Sequence, residues 1–260
     1  MKRRIRKTAG ALAMLIVFGL VRTGWEAGLD RRLTETGLLT PPPTLKLADQ
    51  IGYQAFFAVL GGLRPLVAFY TTLHAYDAWE YREWDTVERD YNIVNQLTPE
   101  DEDAWIIAAW HLHTNAAASF YINDALPQTM RETVLARDWV LKGAAKLEEG
   151  IRALPDSWKL HNELARVYGD KDKLADPCRA AEQYRLAMGC EGALEFVRRF
   201  YGYQLARCPG KEQEAYDYLK GLYDEAERHH SPSLIITVKD LETKLGIPPG
   251  QRIPDPYPPR

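Results

Sequence analysis

Apolar residues recur with a helical spacing from Ala68 to about residue 245. The clearest stretch sets Leu164, Ala165 and Tyr168 on one face, then Ala180, Tyr184 and Ala187 on the next. Large, small and aromatic positions at offsets of three and four put bulky and small side chains on one helix face, which lets two helices approach closely. Breaks fall at Pro99 with its acidic run, Asn123-Asp124, Pro155, Gly169-Asp170, Gly189 to Gly192, and Pro209-Gly210. No segment alternates as a sheet strand does. The pattern predicts an all-α chain of helix pairs. One such pair cannot bury its own apolar face, so its neighbours must stack on it.

Two segments depart from the period. Ala9 to Val21 runs 13 residues without a charge, directly after Lys2, Arg3, Arg4, Arg6 and Lys7. That is the layout of an export signal, and the small residues a signal peptidase needs are poorly placed after it. Residues 1–25 therefore predict a retained signal anchor in the inner membrane, with the body facing the periplasm. Secretion to the periplasm after cleavage is the alternative. Residues 26–50, ending in Pro41-Pro42-Pro43 and a few polar positions, read as a spacer. Residues 51–73 are also apolar, but Arg64 lies within them, and a charge at mid-bilayer is costly. They predict a short helix to about Leu60, a break at Gly61-Gly62, and a new helix with Pro65 in its first turn, buried against the repeats. Residues 51–245 form the predicted helical domain, and 246–260 a proline-rich extended tail.

The residues singled out above resemble the tetratricopeptide repeat family. Tyr91 and Val94 lead to Pro99, and Trp105, Ala108, Ala109 and Leu112 follow. Leu147 leads to Pro155, then Leu164, Ala165, Tyr168, Ala180, Tyr184 and Ala187, with Gly192 where the closing proline belongs. Tyr201, Gly202 and Leu205, then Ala215, Leu219 and Leu222, repeat the scheme, so the match covers residues 65–228. Gly61-Gly62-Leu63-Arg64 also resembles a segment of divergent membrane-anchored bacterial repeat proteins. The resemblance implies a right-handed solenoid of antiparallel helix pairs that binds protein partners on a concave wall. By family offset that wall holds Asp103, Ile106, Trp110 and His113, then Lys159, Asn162 and Arg166, then Phe196, Arg199 and Tyr203. Its cations, amide and aromatics suit an extended acidic peptide or a terminal carboxylate.

The formal net charge of −3 argues against a nucleic-acid partner. Residues 77–103 carry ten carboxylates against Arg82 and Arg89, a local charge of −8 and a candidate second contact surface. His111 and His113, two apart, point to different faces of a helix, and the adjacent His229 and His230 do the same, so no metal site is expected. No nucleophile, phosphate-loop or dinucleotide motif occurs, and no cofactor is expected. Antiparallel helices around the turn at residues 190–192 bring Cys178 to Cys208, a candidate disulfide, and leave Cys190 over. The reading is a scaffold or adaptor in a bacterial envelope complex. Its rivals are a structural subunit embedded permanently in a larger membrane assembly, and an enzyme or ligand binder with a pocket inside the solenoid that uses Trp105, Trp110 or His113.

Overall fold

A computed structural model of the protein describes residues 29, 32, 45–52, 56, 59–121, 127, 128 and 130–254. The sequence-predicted anchor at residues 9–21 and the last six residues of the proline-rich tail lie outside these. Among the described residues no helix is long and apolar enough to cross a membrane. The chain divides into two compact units, Met1–Leu60 and Gly61–Arg260. The first contains helix α1 (Leu45–Ile51), which buries Leu47.

The second unit is all-helical among its described residues. Near its start, Gly62 has a φ of 88°, in the left-handed region that glycine tolerates, so the backbone turns there. Helix α2 (Arg64–Glu80) follows with Pro65 in its first turn. Next come α3 (Trp84–Leu97), α4 (Glu102–Trp110), a π-helical turn (His111–Ala116) and α5 (Ala117–Tyr121). Another π-helical segment (Met130–Ala136) leads into α6 (Arg137–Ala153). The remaining helices are α7 (Trp158–Gly169), α8 (Pro177–Gly189), α9 (Phe196–Arg207), α10 (Glu212–Glu225) and α11 (Pro232–Lys244).

The starts of these helices are written in the chain. Asp101, Ser157, Asp176 and Ser231 are N-caps whose side chains accept from the backbone N–H three residues on. Pro177 and Pro232 occupy first-turn positions, where a missing N–H costs nothing. Apart from the short α5, helices pack on the next in chain order: α2 on α3, α4 on α6, α6 on α7, α7 on α8, α8 on α9, α9 on α10 and α10 on α11. Contacts that skip a partner, α4 with α7 and α9 with α11, tie successive pairs together.

The core runs through these pairs. Ala75, Ala78, Val87, Tyr91, Val94, Ala104 and Ala108 join α2, α3 and α4. Trp105, Leu112, Leu147, Leu160 and Leu164 join α4, α6 and α7. Leu205, Tyr216, Leu219, Leu234, Val238 and Leu241 join α9, α10 and α11. Ile253 enters that last cluster, so the start of the tail is not free. The Ile253 N–H donates to the buried carboxylate of Glu242 at 2.6 Å, and a 3₁₀ turn at Pro249–Gln251 folds the tail back.

Helix α2 corrects one expectation. Its alanines face α3, but Leu66, Phe69, Tyr70, Leu73 and Tyr76 are each about half exposed or more, at 48% to 64%. The apolarity of this stretch is therefore not burial against the repeats. Both sides of α2 are apolar, and among the described residues the alanine side is the one that packs on α3.

Gly143 marks a close helix crossing. A Cβ there would sit 2.5 Å from the His113 Cβ, 2.8 Å from its backbone N and 2.9 Å from the Ala109 carbonyl oxygen. Two of these atoms are backbone and cannot swing away. Gly143→Ala therefore lowers unfolding free energy by about 2 kcal/mol despite alanine's higher helix propensity. Gly221→Ala on α10, where a Cβ meets nothing within 4 Å, raises it by up to about 1 kcal/mol. Urea titrations of the two variants give opposite signs if α6 and the π turn cross as described.

Candidate partner-binding face

The first row of this face is built by α7 on α4. Ser157 caps α7 and also donates its hydroxyl to Glu102 at the start of α4. Two residues on, the Lys159 ammonium lies 2.7 Å from Glu102 and 3.8 Å from Asp103. Burial opposes ionisation of Glu102, but hydrogen bonds from Lys159 and Ser157 outweigh it and hold the carboxyl below its usual range. The same contact raises Lys159. Lys159 thus answers an internal acid. Arg166, exposed, forms a fork on Glu163 at 2.9 and 3.0 Å. Asn162 is buried. Its amide donates to Glu163 at 3.2 Å, and its carbonyl oxygen has no hydrogen-bond partner among the described residues.

His113 is buried too, and accepts at Nδ1 from the Lys173 ammonium at 2.9 Å. Burial, then the charge of Lys173, pushes its pKa down to about 3. His111 stacks on Tyr91 at 5.3 Å, and burial lowers it to about 4. The two imidazoles point to different neighbours, and no group of three or more His, Cys, Asp or Glu among the described residues is arranged to hold a metal. Trp110 is 45% exposed, with its ring 5.2 Å from His111. Asp103 is exposed and Ile106 packs against the core.

The second row is on α9, where Phe196, Phe200 and Tyr203 follow at offsets of four and three and share a face. Their ring centroids are 5.6 and 5.8 Å apart, Trp158 lies 6.2 Å from Phe196, and Tyr184 lies 5.7 Å from Phe200. Phe200 is 40% exposed. Arg199 sits within this row, half-buried, with no hydrogen bond or ion pair among the described residues. The Tyr203 hydroxyl lies 3.3 Å from Ser231 Oγ. Phe200 is the residue that family offsets miss. Its position, four after Phe196 and three before Tyr203, is the signal that finds it.

The structure thus joins Phe196, Arg199 and Tyr203 with Phe200, Trp158 and Tyr184 in one aromatic strip holding one open guanidinium. Lys159 and Arg166 are engaged within the chain, and His113 and Asn162 do not offer their side chains to the surface. The strip can take apolar, proline or aromatic side chains by ring packing, and a carboxylate at Arg199. The disulfide between Cys178 at the start of α8 and Cys208 at the end of α9 makes the two helices antiparallel and fixes α9.

A separate cleft of about 330 Å³ lies between α6 and the α7–α8 turn. Its polar groups answer one another: the Tyr168 hydroxyl donates to Glu148 at 2.8 Å, and Arg179 lies over the Tyr168 ring and 3.6 Å from Asp176.

Compared with known proteins, the chain matches no family model, no curated sequence and no solved structure.

Proposed function

We propose that the chain is a membrane-anchored, tetratricopeptide-like scaffold or adaptor of a bacterial cell-envelope complex, exported to the periplasmic side. It holds an extended peptide segment of a protein partner against α9. The carrying observation is the half-open strip of Phe196, Phe200 and Tyr203 with Arg199, unpaired among the described residues, in its midst. Phe196 and Tyr203 rest partly on the core, but Phe200 is open beside Arg199, and an exposed ring next to a cation is a typical anchor of a peptide groove. Consecutive helix pairs and the Cys178–Cys208 bond support the repeat reading and the export reading respectively. The basic cluster at residues 2–7 and the apolar run at 9–21 support the anchor.

The test is crosslinking of the tagged protein in host membranes followed by mass spectrometry. Phe200→Ala with Arg199→Glu should lose one specific partner, its recovery falling about tenfold or more. Lys159→Ala, which only releases Glu102, should keep that partner. An identical partner set in wild type and the α9 variant would sink the groove reading.

The exposed apolar face of α2 favours a second reading, a structural subunit embedded permanently in a larger membrane assembly.

A further inference from the structure

On α2, Leu66, Phe69, Tyr70, Leu73 and Tyr76 follow the offsets three, four, seven and ten, so they form one stripe opposite the buried Ala68, Ala75 and Ala78. With aromatic side chains of roughly 150–250 Å² each, the half-exposed stripe presents on the order of 500 Å², as large as the largest patches of ordinary monomers. The same stripe continues, at the same angle around the helix, into Asp77 and Glu80, and the connection and first turn of α3 add Glu83 and Asp85. All four are exposed, and none has a side-chain hydrogen bond or ion pair among the described residues. One end of the stripe is thus apolar and the other anionic.

That polarity selects the occupant. A second copy of α2 laid antiparallel, with Tyr70 of each against Leu73 of the other, sets Asp77 on Leu66. Laid parallel, it sets Asp77 on Asp77. Either arrangement covers a carboxylate with the wrong group. A bilayer surface bearing anionic lipid repels the same end. A helix with an apolar face for three turns and cations beyond it satisfies both ends.

We infer that the outer face of α2 is a docking site for a partner helix that is apolar over about eleven residues, a length of about 16 Å, and ends in a lysine or arginine cluster. The apolar run lies along Leu66 to Tyr76, and the cations meet Asp77, Glu80, Glu83 and Asp85. This deepens the embedded-subunit reading, and its test leaves the α9 strip untouched, so either can fail alone.

The test uses the full chain in phosphatidylcholine nanodiscs. A fluorescent synthetic helix of leucine and alanine, about eleven residues long and closed by a lysine run, is titrated against it, and a twin closed by glutamates serves as the comparison. The lysine helix should bind at least about tenfold more tightly than its twin, and the preference should shrink with added salt. Asp77→Lys with Glu80→Lys, both at exposed positions, should reverse the preference, and Leu73→Asp should weaken both peptides about tenfold. Far-ultraviolet circular dichroism verifies that these variants keep their helices. Equal binding of the twins, or binding of neither, overturns the proposal. So does a Leu73→Cys thiol that bismaleimide links to a second copy, or that lipid alone shields from a water-soluble maleimide.

Discussion

Lowering the pH from 7 to 5 removes about 4 kcal/mol of unfolding free energy, shared nearly equally between His111 and His113. Both imidazoles are buried and neutral in the fold, with pKa values near 4 and 3, against about 6.5 in an unfolded chain. Well above pH 6.5, from about pH 8 upward, neither state binds a proton, and these groups add no pH dependence. Below it the unfolded chain takes up a proton at each site while the fold does not, so stability falls by up to about 1.4 kcal/mol per pH unit for each histidine. The loss continues until the folded pKa is reached. Urea titrations at pH 7, 6 and 5 measure it. His113→Leu removes one of the two acceptors of the Lys173 ammonium, leaving Thr114 Oγ1 at 3.2 Å, and lowers stability at every pH. The informative quantity is therefore the slope, which should halve. A slope equal to that of wild type would mean that His113 is exposed to solvent in the protein.

His113 also shows where sequence reasoning reached its limit. Family offsets place it on the concave wall because they assume a regular helix through Trp110 and His113. The chain instead passes through a π-helical turn from His111 to Ala116, which changes the angle per residue and turns His113 inward toward α6. Nothing in the residue types at 111–116 announces that turn. Asn162 is buried for a simpler reason: the first turn of α7 is drawn against α4 by the contacts of Ser157 and Lys159 with Glu102, 55 residues earlier in the case of Ser157. Contacts of that range are invisible to offsets within one helix.

Local signals were legible. Gly61-Gly62 marks the bend before α2, and Pro99 with its acidic run and Pro155 mark the breaks before α4 and α7, whereas the caps Asp101, Ser157, Asp176 and Ser231 emerge only with the fold. The family offsets brought in Phe196, Arg199 and Tyr203, and Phe200 lies between them on the same face, four after Phe196 and three before Tyr203. Helix α2 was harder because leucines and aromatics lie on one side and alanines on the other. A period reading identifies a buried face by contrast with a polar one, and here there is little contrast until Asp77. Small residues mark the side that packs closely, and that asymmetry of size, not of polarity, is the readable clue.

Breaking the Cys178–Cys208 bond lowers unfolding free energy by about 3–4 kcal/mol, from the chain entropy released when a loop of this length opens. The two cysteines are 30 residues apart and join the start of α8 to the end of α9. At the other end of this pair, residues 190–195 make a turn and the N-cap position of α9 carries no side-chain cap. The bond is therefore the covalent tie that holds the aromatic strip of α9 in register with Tyr184 on α8. Cys190 does not compete for it. Burial, then the negative charge of Asp156, raises its thiol, leaving little thiolate to attack the disulfide at neutral pH. Urea titrations with and without reductant, beside Cys178→Ser with Cys208→Ser, should give matching losses, and Cys190→Ser should leave both the midpoint and the effect of reductant unchanged. If reductant shifts nothing, the two sulfurs are not bonded in the protein and α9 is held by packing alone. The same protein, isolated from its host under thiol-blocking conditions, tests the proposed location. A bonded pair requires an oxidising compartment and supports export of the body, whereas two free thiols at 178 and 208 would place the body on the reducing side of the membrane.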